Sequence, residues 1–356
     1  MNDMVGVLGY GGEAGQHLIS YLRNQYPIKC GQRVMTGTSQ DSDIEFVQVD
    51  ICDKIQLNEF CKGCRIIVNC AGPSYYLSRK VADVAYENHI NYVDLFGIDI
   101  PKGRHIEKNN TTIIGAGSIP GLSGILPIWI TGREKETIRR VDIFAGGNEC
   151  ITQSACIDFL MSTYQGFGKP ETYYKDHKET KTEYQYAISP FIFPRDIEMI
   201  EYLSEEMFLS AEKSKISELH WYNMQSDPLY KKVIRDAFWE ISKSNDKSKI
   251  YDIARKVKER FMGNRTEIDC WYKIWIETET NNSKKSYGFC SSDSYKINGR
   301  IAALCTEFLY EESYTPGIYW PFEVLNCEKV MEDLMASRIL VEISADELSN
   351  CEEGVF

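Results

Sequence analysis

The residues best placed to do chemistry form a glycine-rich run, Val7-Leu8-Gly9-Tyr10-Gly11-Gly12-Glu13-Ala14-Gly15, between an apolar stretch and a helical pattern. Two templates fit it. Gly9, Gly11 and Ala14 match G-x-G-x-x-A, while Gly9, Gly12 and Gly15 match G-x-x-G-x-x-G. Both describe one physical task. A tight strand-to-helix turn takes glycine at positive φ, and a pyrophosphate approaches bare backbone where helix N–H groups and the helix dipole favour an anion. Gly9, Tyr10, Gly11, Gly12, Glu13 and Ala14 are therefore the candidate cofactor contacts at this turn.

A second group of residues bears on which dinucleotide would sit there. A carboxylate at the end of the second strand would hold the ribose 2′-hydroxyl of NAD. The expected end reads Met35-Thr36-Gly37-Thr38-Ser39-Gln40, with no carboxylate, although Asp41 and Asp43 stand slightly farther on. Gly37, Thr38 and Ser39 become candidate contacts, Arg33 a possible partner for a 2′-phosphate, and Asp50 a residue of the adenine half. NADP(H) is favoured and NAD(H) remains open.

The elements that must position these residues alternate. Val5–Leu8, Arg33–Thr36, Phe46–Val49, Ile66–Cys70, Tyr92–Leu95 and Thr112–Ile114 read as strands, and Gln16–Arg23, Lys54–Phe60 and Ser78–Asn88 as crossover helices. Continuous apolar strands are covered on both faces, so the fold class is α/β: an N-terminal Rossmann-type, doubly wound parallel sheet. Ligands bind outside the carboxyl ends of such strands. That places Ala71, Gly72 and Pro73 beside the nicotinamide end of the cofactor, with Tyr75, Tyr76 and Asp94 as the nearest candidate proton donors. The alternatives are plain. Each tyrosine can serve as an aromatic wall, and Asp94 as a cap or turn residue.

The middle of the chain changes rhythm. Arg139–Ala145, Glu267–Thr280 and Lys284–Cys290 look like longer strands, the last two joined as a hairpin, and Asp227–Ser242 and Lys247–Met262 look like helices. Ile250, Ile253, Ala254, Val257 and Phe261 form one apolar stripe, read as a core face. This is an inserted α+β substrate and oligomerisation domain. The expected division is 1–122 for the dinucleotide domain, 123–295 for the insertion and 296–356 for a segment returning to pack on the first domain. The cofactor cleft is expected between the lobes, with a homodimer formed through the central one.

Composition limits the function classes. A net charge of −12 disfavours a general nucleic-acid or anionic-membrane surface. No apolar run is long enough to span a bilayer, and the first strand begins too early for a signal peptide, so a cytoplasmic address is expected. The 12 cysteines are scattered through expected strands and helices and read as reduced thiols. Cys61 and Cys64 form a lone C-x-x-C without a second ligand pair, and the five histidines form no metal constellation, so no metal is expected.

Later segments carry a family likeness. Val68-Asn69-Cys70-Ala71-Gly72-Pro73, Tyr92-Val93-Asp94-Leu95-Phe96-Gly97 and Gly115-Ala116-Gly117-Ser118-Ile119-Pro120-Gly121-Leu122-Ser123 stand in order, and Pro316-Gly317-Ile318-Tyr319-Trp320-Pro321 follows near the C-terminus. Together with the glycine turn, they resemble the saccharopine dehydrogenase (saccharopine reductase-like) family. One departure is that Gly37-Thr38 stands where NADP-using relatives often carry Gly-Arg. The resemblance implies a nicotinamide-dependent oxidoreductase that makes or breaks a carbon–nitrogen bond through an imine, on a small-molecule or carrier-bound substrate. An enoyl reductase of a biosynthetic pathway and a non-catalytic dinucleotide sensor or scaffold are the alternatives.

Overall fold

The computed structural model describes residues 3–34, 44–100, 110–183, 188–227, 229–243, 247–262 and 270–343. The chain divides into two compact units, Met1–Ile125 with Tyr295–Val330 and Leu126–Ser294 with Met331–Phe356. No helix among the described residues is long and apolar enough to cross a membrane.

The first unit runs β1 (Met4–Leu8), α1 (Glu13–Leu22), β2 (Ile28–Gln32), β3 (Ile44–Gln48), α2 (Lys54–Cys61), β4 (Cys64–Asn69), α3 (Ser74–Glu87), β5 (Asn91–Asp94) and β6 (Thr111–Ile113). Among the described residues these strands form one parallel sheet in the order β3-β2-β1-β4-β5-β6, and the strand Gly317–Tyr319 extends it beside β6. The chain starts in the middle, builds outward to β3, then crosses back to place β4 against β1. That reversal is the topological switch point of a doubly wound sheet. Val5, Val7, Leu8, Ile66, Ile67 and Val68 have no exposed surface, which is why β1 and β4 are apolar without alternation.

One strand differs from the sequence expectation. The strand found here is Ile28–Gln32, and Arg33 and Val34, the described part of the expected Arg33–Thr36, follow it as a bend. Lys29 and Gly31 disguised it, since neither residue type favours strands. Lys29 is buried, with Nζ donating to the Lys62 carbonyl at 3.1 Å. At Gly31 a Cβ would stand 2.7 Å from both Phe60 and Val49, so close packing across the strand demands glycine there. α3 also begins four residues earlier than its periodicity indicated, which puts Tyr75 and Tyr76 in the first turn of a helix.

The helix Ser294–Glu311 holds the glycine-rich segments of this unit in place. Asn298 Oδ1 accepts the Ser118 N–H at 2.7 Å. A Cβ at Gly299 would fall 3.0 Å from the Ala14 carbonyl and 2.5 Å from His17 Cβ, so the helix crosses α1 at backbone contact.

The second unit contains most of α4 (Leu122–Arg133), then β7 (Arg140–Asn148), α5 (Gln153–Tyr164), β8 (Gly168–Pro170), β9 (Thr172–Lys175), β10 (Lys178–Lys181), β11 (Glu198–Ser204), α6 (Glu205–Ser214), β12 (Glu218–Gln225), α7 (Tyr230–Ser242), α8 (Lys247–Met262), β13 (Trp271–Glu279) and β14 (Lys284–Ser291). These build a mixed sheet with β12, β7, β13 and β14 side by side, β12 and β7 being parallel. The stripe Ile250, Ile253, Ala254, Val257 and Phe261 of α8 is buried, and Phe261 stacks on Tyr230 of α7 at 5.2 Å. It is a core face.

One sheet face of this unit carries charge. Arg140 binds Asp142 through two nitrogens at 2.7 Å and reaches Glu218 at 3.0 Å. His220, buried, places Nδ1 2.5 Å from Glu201 and Nε2 2.8 Å from Glu218, and stacks on Tyr173 at 4.3 Å. Farther along the same strands, Phe144, Tyr222, Met224 and Trp275 join Ile192, Phe193 and Met199 in an apolar cluster.

The expected return of all of 296–356 to the first domain needs correction. Val341–Glu342 pairs antiparallel with Phe289 and Cys290 of β14, so this part extends the second sheet, satisfying an edge that would otherwise be open.

Candidate dinucleotide site

The glycine turn leaves β1 beside the turn that leaves β4. Gly9 has φ +79, and a Cβ there would stand 2.5 Å from both N and Cα of Ala71. Two loops crossing at backbone contact, as well as the left-handed conformation, therefore require glycine at this position. Gly15 is fixed differently: its Cβ would meet the Gly9 carbonyl at 2.6 Å, which holds helix and turn together. Gly12 has neither reason. Its φ of −80 suits any residue, contrary to the positive φ expected of it, and the nearest atom to an added Cβ is 3.6 Å away. It is exposed at the N-cap of α1, where no side chain caps the helix. The geometry thus realises G-x-x-G-x-x-G: a tight turn, an open approach to helix N–H groups, and a close packing contact. A bare, uncapped helix N-terminus is the cradle a pyrophosphate needs.

The neighbouring contacts refine the site. Gly11 donates its N–H to Gln32 Oε1 at 2.8 Å, so the last residue of β2 braces the turn. Tyr10 is buried edge-on to Phe46 at 5.2 Å and belongs to the core beneath. Glu13 is exposed and Ala14 half-buried in the first turn of α1. β2 ends at Gln32, and the exposed Arg33 follows it directly. Gly37, Thr38 and Ser39 lie outside the described residues. Asp50 organises the start of α2, accepting the Cys52 N–H at 2.8 Å while its own N–H goes to Gln56.

At the carboxyl ends of β4 and β5, buried side chains fix the loops. Asn69 donates to Asp94 Oδ2 at 2.9 Å and accepts the Ala71 N–H at 3.2 Å. Asp94 Oδ1 accepts the Phe96 N–H at 2.8 Å, and the Tyr92 hydroxyl donates to Oδ2. Asp94 has no exposed surface. Burial raises its pKa, opposed by the bonds from Tyr92 and Asn69, and the Tyr92 phenol is pushed well above its usual range by its own burial and the nearby Asp94. This carboxylate holds the two turns in register. Ala71 and Gly72 are accessible, Pro73 is buried, and Tyr75 and Tyr76 stand edge-on at 5.3 Å.

Sequence reasoning passed over Asp99, on the turn after β5. Its Oδ1 is buried without a hydrogen-bond partner among the described residues, and burial with nearby Asp94 pushes its pKa up to about 6. Its signal was only a second aspartate soon after Asp94, which no motif requires. Cys61 and Cys64 are buried, their thiols pushed up to about 12 and about 11 by burial.

The NAD dependent epimerase/dehydratase family matches residues 5–95, the stretch from β1 to the end of β5. No curated protein sequence matches the chain. Among solved structures, saccharopine dehydrogenase (L-Glu forming) from Saccharomyces cerevisiae is 12% identical, covering 96% of this chain and 99% of its own, at a TM-score of 0.66. C. glutamicum DAP dehydrogenase is 13% identical, covers 94% of this chain and 98% of its own, and has a TM-score of 0.47. Uronate dehydrogenase from Agrobacterium tumefaciens is 18% identical over 26% of this chain and 41% of its own, at a TM-score of 0.23. The likeness read from the sequence motifs is met in three dimensions: the chain has the saccharopine dehydrogenase fold, opening with an NAD(P)-type Rossmann sheet.

Proposed function

We propose that this chain is an NAD(P)-dependent oxidoreductase that reduces an imine, or in reverse oxidises the carbon–nitrogen bond of a secondary amine, with NADP(H) preferred. The observation that carries the reading is Gly12, bare and roomy at an uncapped helix N-terminus on the switch point of a sheet whose chain follows saccharopine dehydrogenase almost throughout.

Each group has a task in this reading. First-turn N–H groups of α1 bind the pyrophosphate, and Gln32 keeps Gly11 from rotating out of the turn. Arg33, following β2, supplies a cation for the 2′-phosphate in the place where a carboxylate would favour NAD. When bound, the nicotinamide supplies the hydride. The Asn69–Asp94–Tyr92 bonds hold the turns at Ala71 and Phe96, which keeps the wall at that end of the cofactor fixed. Tyr76, with Tyr75 beside it, is assigned to give a proton to nitrogen, and Asp94 positions that turn instead of giving one.

The test is NADPH consumption with amino acids paired with aldehydes or keto acids, followed by mass spectrometry for the secondary amine. Tyr76→Phe is expected to lower kcat about 100-fold while NADPH affinity stays constant. NADPH oxidation by enoyl thioesters alone would replace the reading with the enoyl reductase. Nucleotide binding without turnover on any pair or enoyl thioester would leave a sensor.

A further inference from the structure

In the second unit, β7 and β13 part at one end of their antiparallel ladder. The last rung pairs Asn148 with Trp271, and just beyond it stand Cys150 and Cys270. Their sulfurs are 3.1 Å apart, with the Cys270 thiol donating to the Cys150 sulfur. Both residues are partly exposed. Of the other described cysteines, Cys30, Cys61, Cys64, Cys156, Cys305 and Cys327 are buried, Cys52 is exposed, and Cys70 and Cys290 are partly exposed like this pair.

We propose that Cys150 and Cys270 form a reversible redox-modification site, a dithiol that a hydroperoxide converts to a disulfide. The assignment of roles follows from the hydrogen bond. The Cys270 thiol donates to the Cys150 sulfur, which leaves Cys150 as the attacking sulfur. Burial and the adjacent Cys150 push the Cys270 thiol up to about 11, so it keeps its proton until the second step.

The chemistry balances. The Cys150 sulfur attacks one peroxide oxygen, the O–O bond breaks, and the departing oxygen leaves as water after taking a proton. Cys150 is then a sulfenic acid. The Cys270 sulfur attacks the Cys150 sulfur, its proton goes to the leaving hydroxyl, and a second water departs. Two thiols lose two electrons and two protons, and hydrogen peroxide takes up both. A disulfide needs a sulfur separation of about 2.05 Å, which the pair reaches by closing about 1 Å, a movement within reach of side-chain rotation beyond the end of a ladder. The bond would close a long loop, and a link between distant residues restricts the unfolded chain most.

The experiment uses the full chain, reduced, freed of reductant and treated with one equivalent of hydrogen peroxide. Peptide mapping under non-reducing conditions should show a Cys150–Cys270 link with loss of two hydrogens, and Tm should rise by about 5 °C. Dithiothreitol should reverse both changes. Cys150→Ser and Cys270→Ser should each lose the link and the rise. In Cys270→Ser, dimedone should trap the sulfenic acid on Cys150, whereas in Cys150→Ser it should trap none on Cys270. No link, a link from either cysteine to Cys52 or Cys351 in its place, or an unchanged Tm after linking would overturn the proposal.

Discussion

In the first unit, polar side chains reach backbone at the strand ends: buried Asn69, itself bonded to Asp94, holds the Ala71 N–H, Asp94 the Phe96 N–H, and half-buried Asn298 the Ser118 N–H. In the second, they are turned toward one another, Arg140 to Asp142 and Glu218, and His220 to Glu201 and Glu218. The difference separates two uses of buried polarity. Bonds to backbone fix the course of loops, which is what a nucleotide site needs at strand ends. Bonds between charges neutralise the desolvation cost of the groups themselves and hold strands side by side. The first unit is therefore built around places where side chains are missing, and the second around charges that need each other.

The largest expected effect breaks the first unit. Gly9→Val places a Cβ on Ala71 backbone at positive φ and should cost about 4 kcal/mol or more in urea unfolding. Gly12→Val sharpens the contrast: stability should stay within about 1 kcal/mol while nucleotide affinity falls at least about 100-fold, read by calorimetry. Equal loss of stability in both variants would make the turn purely structural.

Next in size, His220→Ala takes the imidazole from buried Glu201, which keeps only Thr182 of the bonds described, and from Glu218, which keeps Arg140 and Lys175; it should cost about 3 kcal/mol, with nucleotide affinity unchanged. A loss below about 1 kcal/mol would show that water replaces the imidazole and that the charge network is not what holds these strands.

A third prediction concerns pH. Burial pushes the Glu149 carboxyl up to about 7, although its oxygen accepts the Ser294 N–H at 2.6 Å. The folded state then binds this proton more tightly than the unfolded chain. The stability it contributes is fully present below about pH 4.3 and is lost as pH rises through about 7, by about 3 kcal/mol. The Tm from thermal melts at half-unit steps between about pH 5 and pH 8 should fall in wild type and flatten in Glu149→Gln. A matching fall in Glu149→Gln would assign the titration to other groups.

The smallest effect is on cofactor choice. Arg33→Ala should weaken NADPH binding about tenfold and leave NADH unchanged. An equal loss for both nucleotides would remove Arg33 from 2′-phosphate recognition.

The legible parts of the sequence share a cause. β1, β4 and β5 are short apolar runs because both faces of a parallel sheet are covered, and α8 showed its stripe because one face alone is buried. Ile28–Gln32 escaped because its lysine is buried by a snorkelling contact and its glycine by crowding, neither of which periodicity reveals. α4 escaped because it is apolar nearly all round and carries Pro127, leaving no stripe. Strands β11 and β12 escaped because Glu201, Glu218 and His220 look solvent-facing until their partners are known. At the site, the glycine turn was readable residue by residue. Gly37 and Thr38 lie outside the described residues, and what the structure adds is that β2 already ends at Gln32, with Arg33 following.

The sequence alone determined the parallel sheet, the helix-capping glycine turn and the order of the motifs, because these depend on local conformation and on periodic burial within single elements. The tertiary structure alone decided which glycines serve packing and which leave space, that Asp94 holds turns together, and that Cys150 and Cys270 meet. Those properties belong to pairs of residues far apart in the chain, and only folding sets the distance between them.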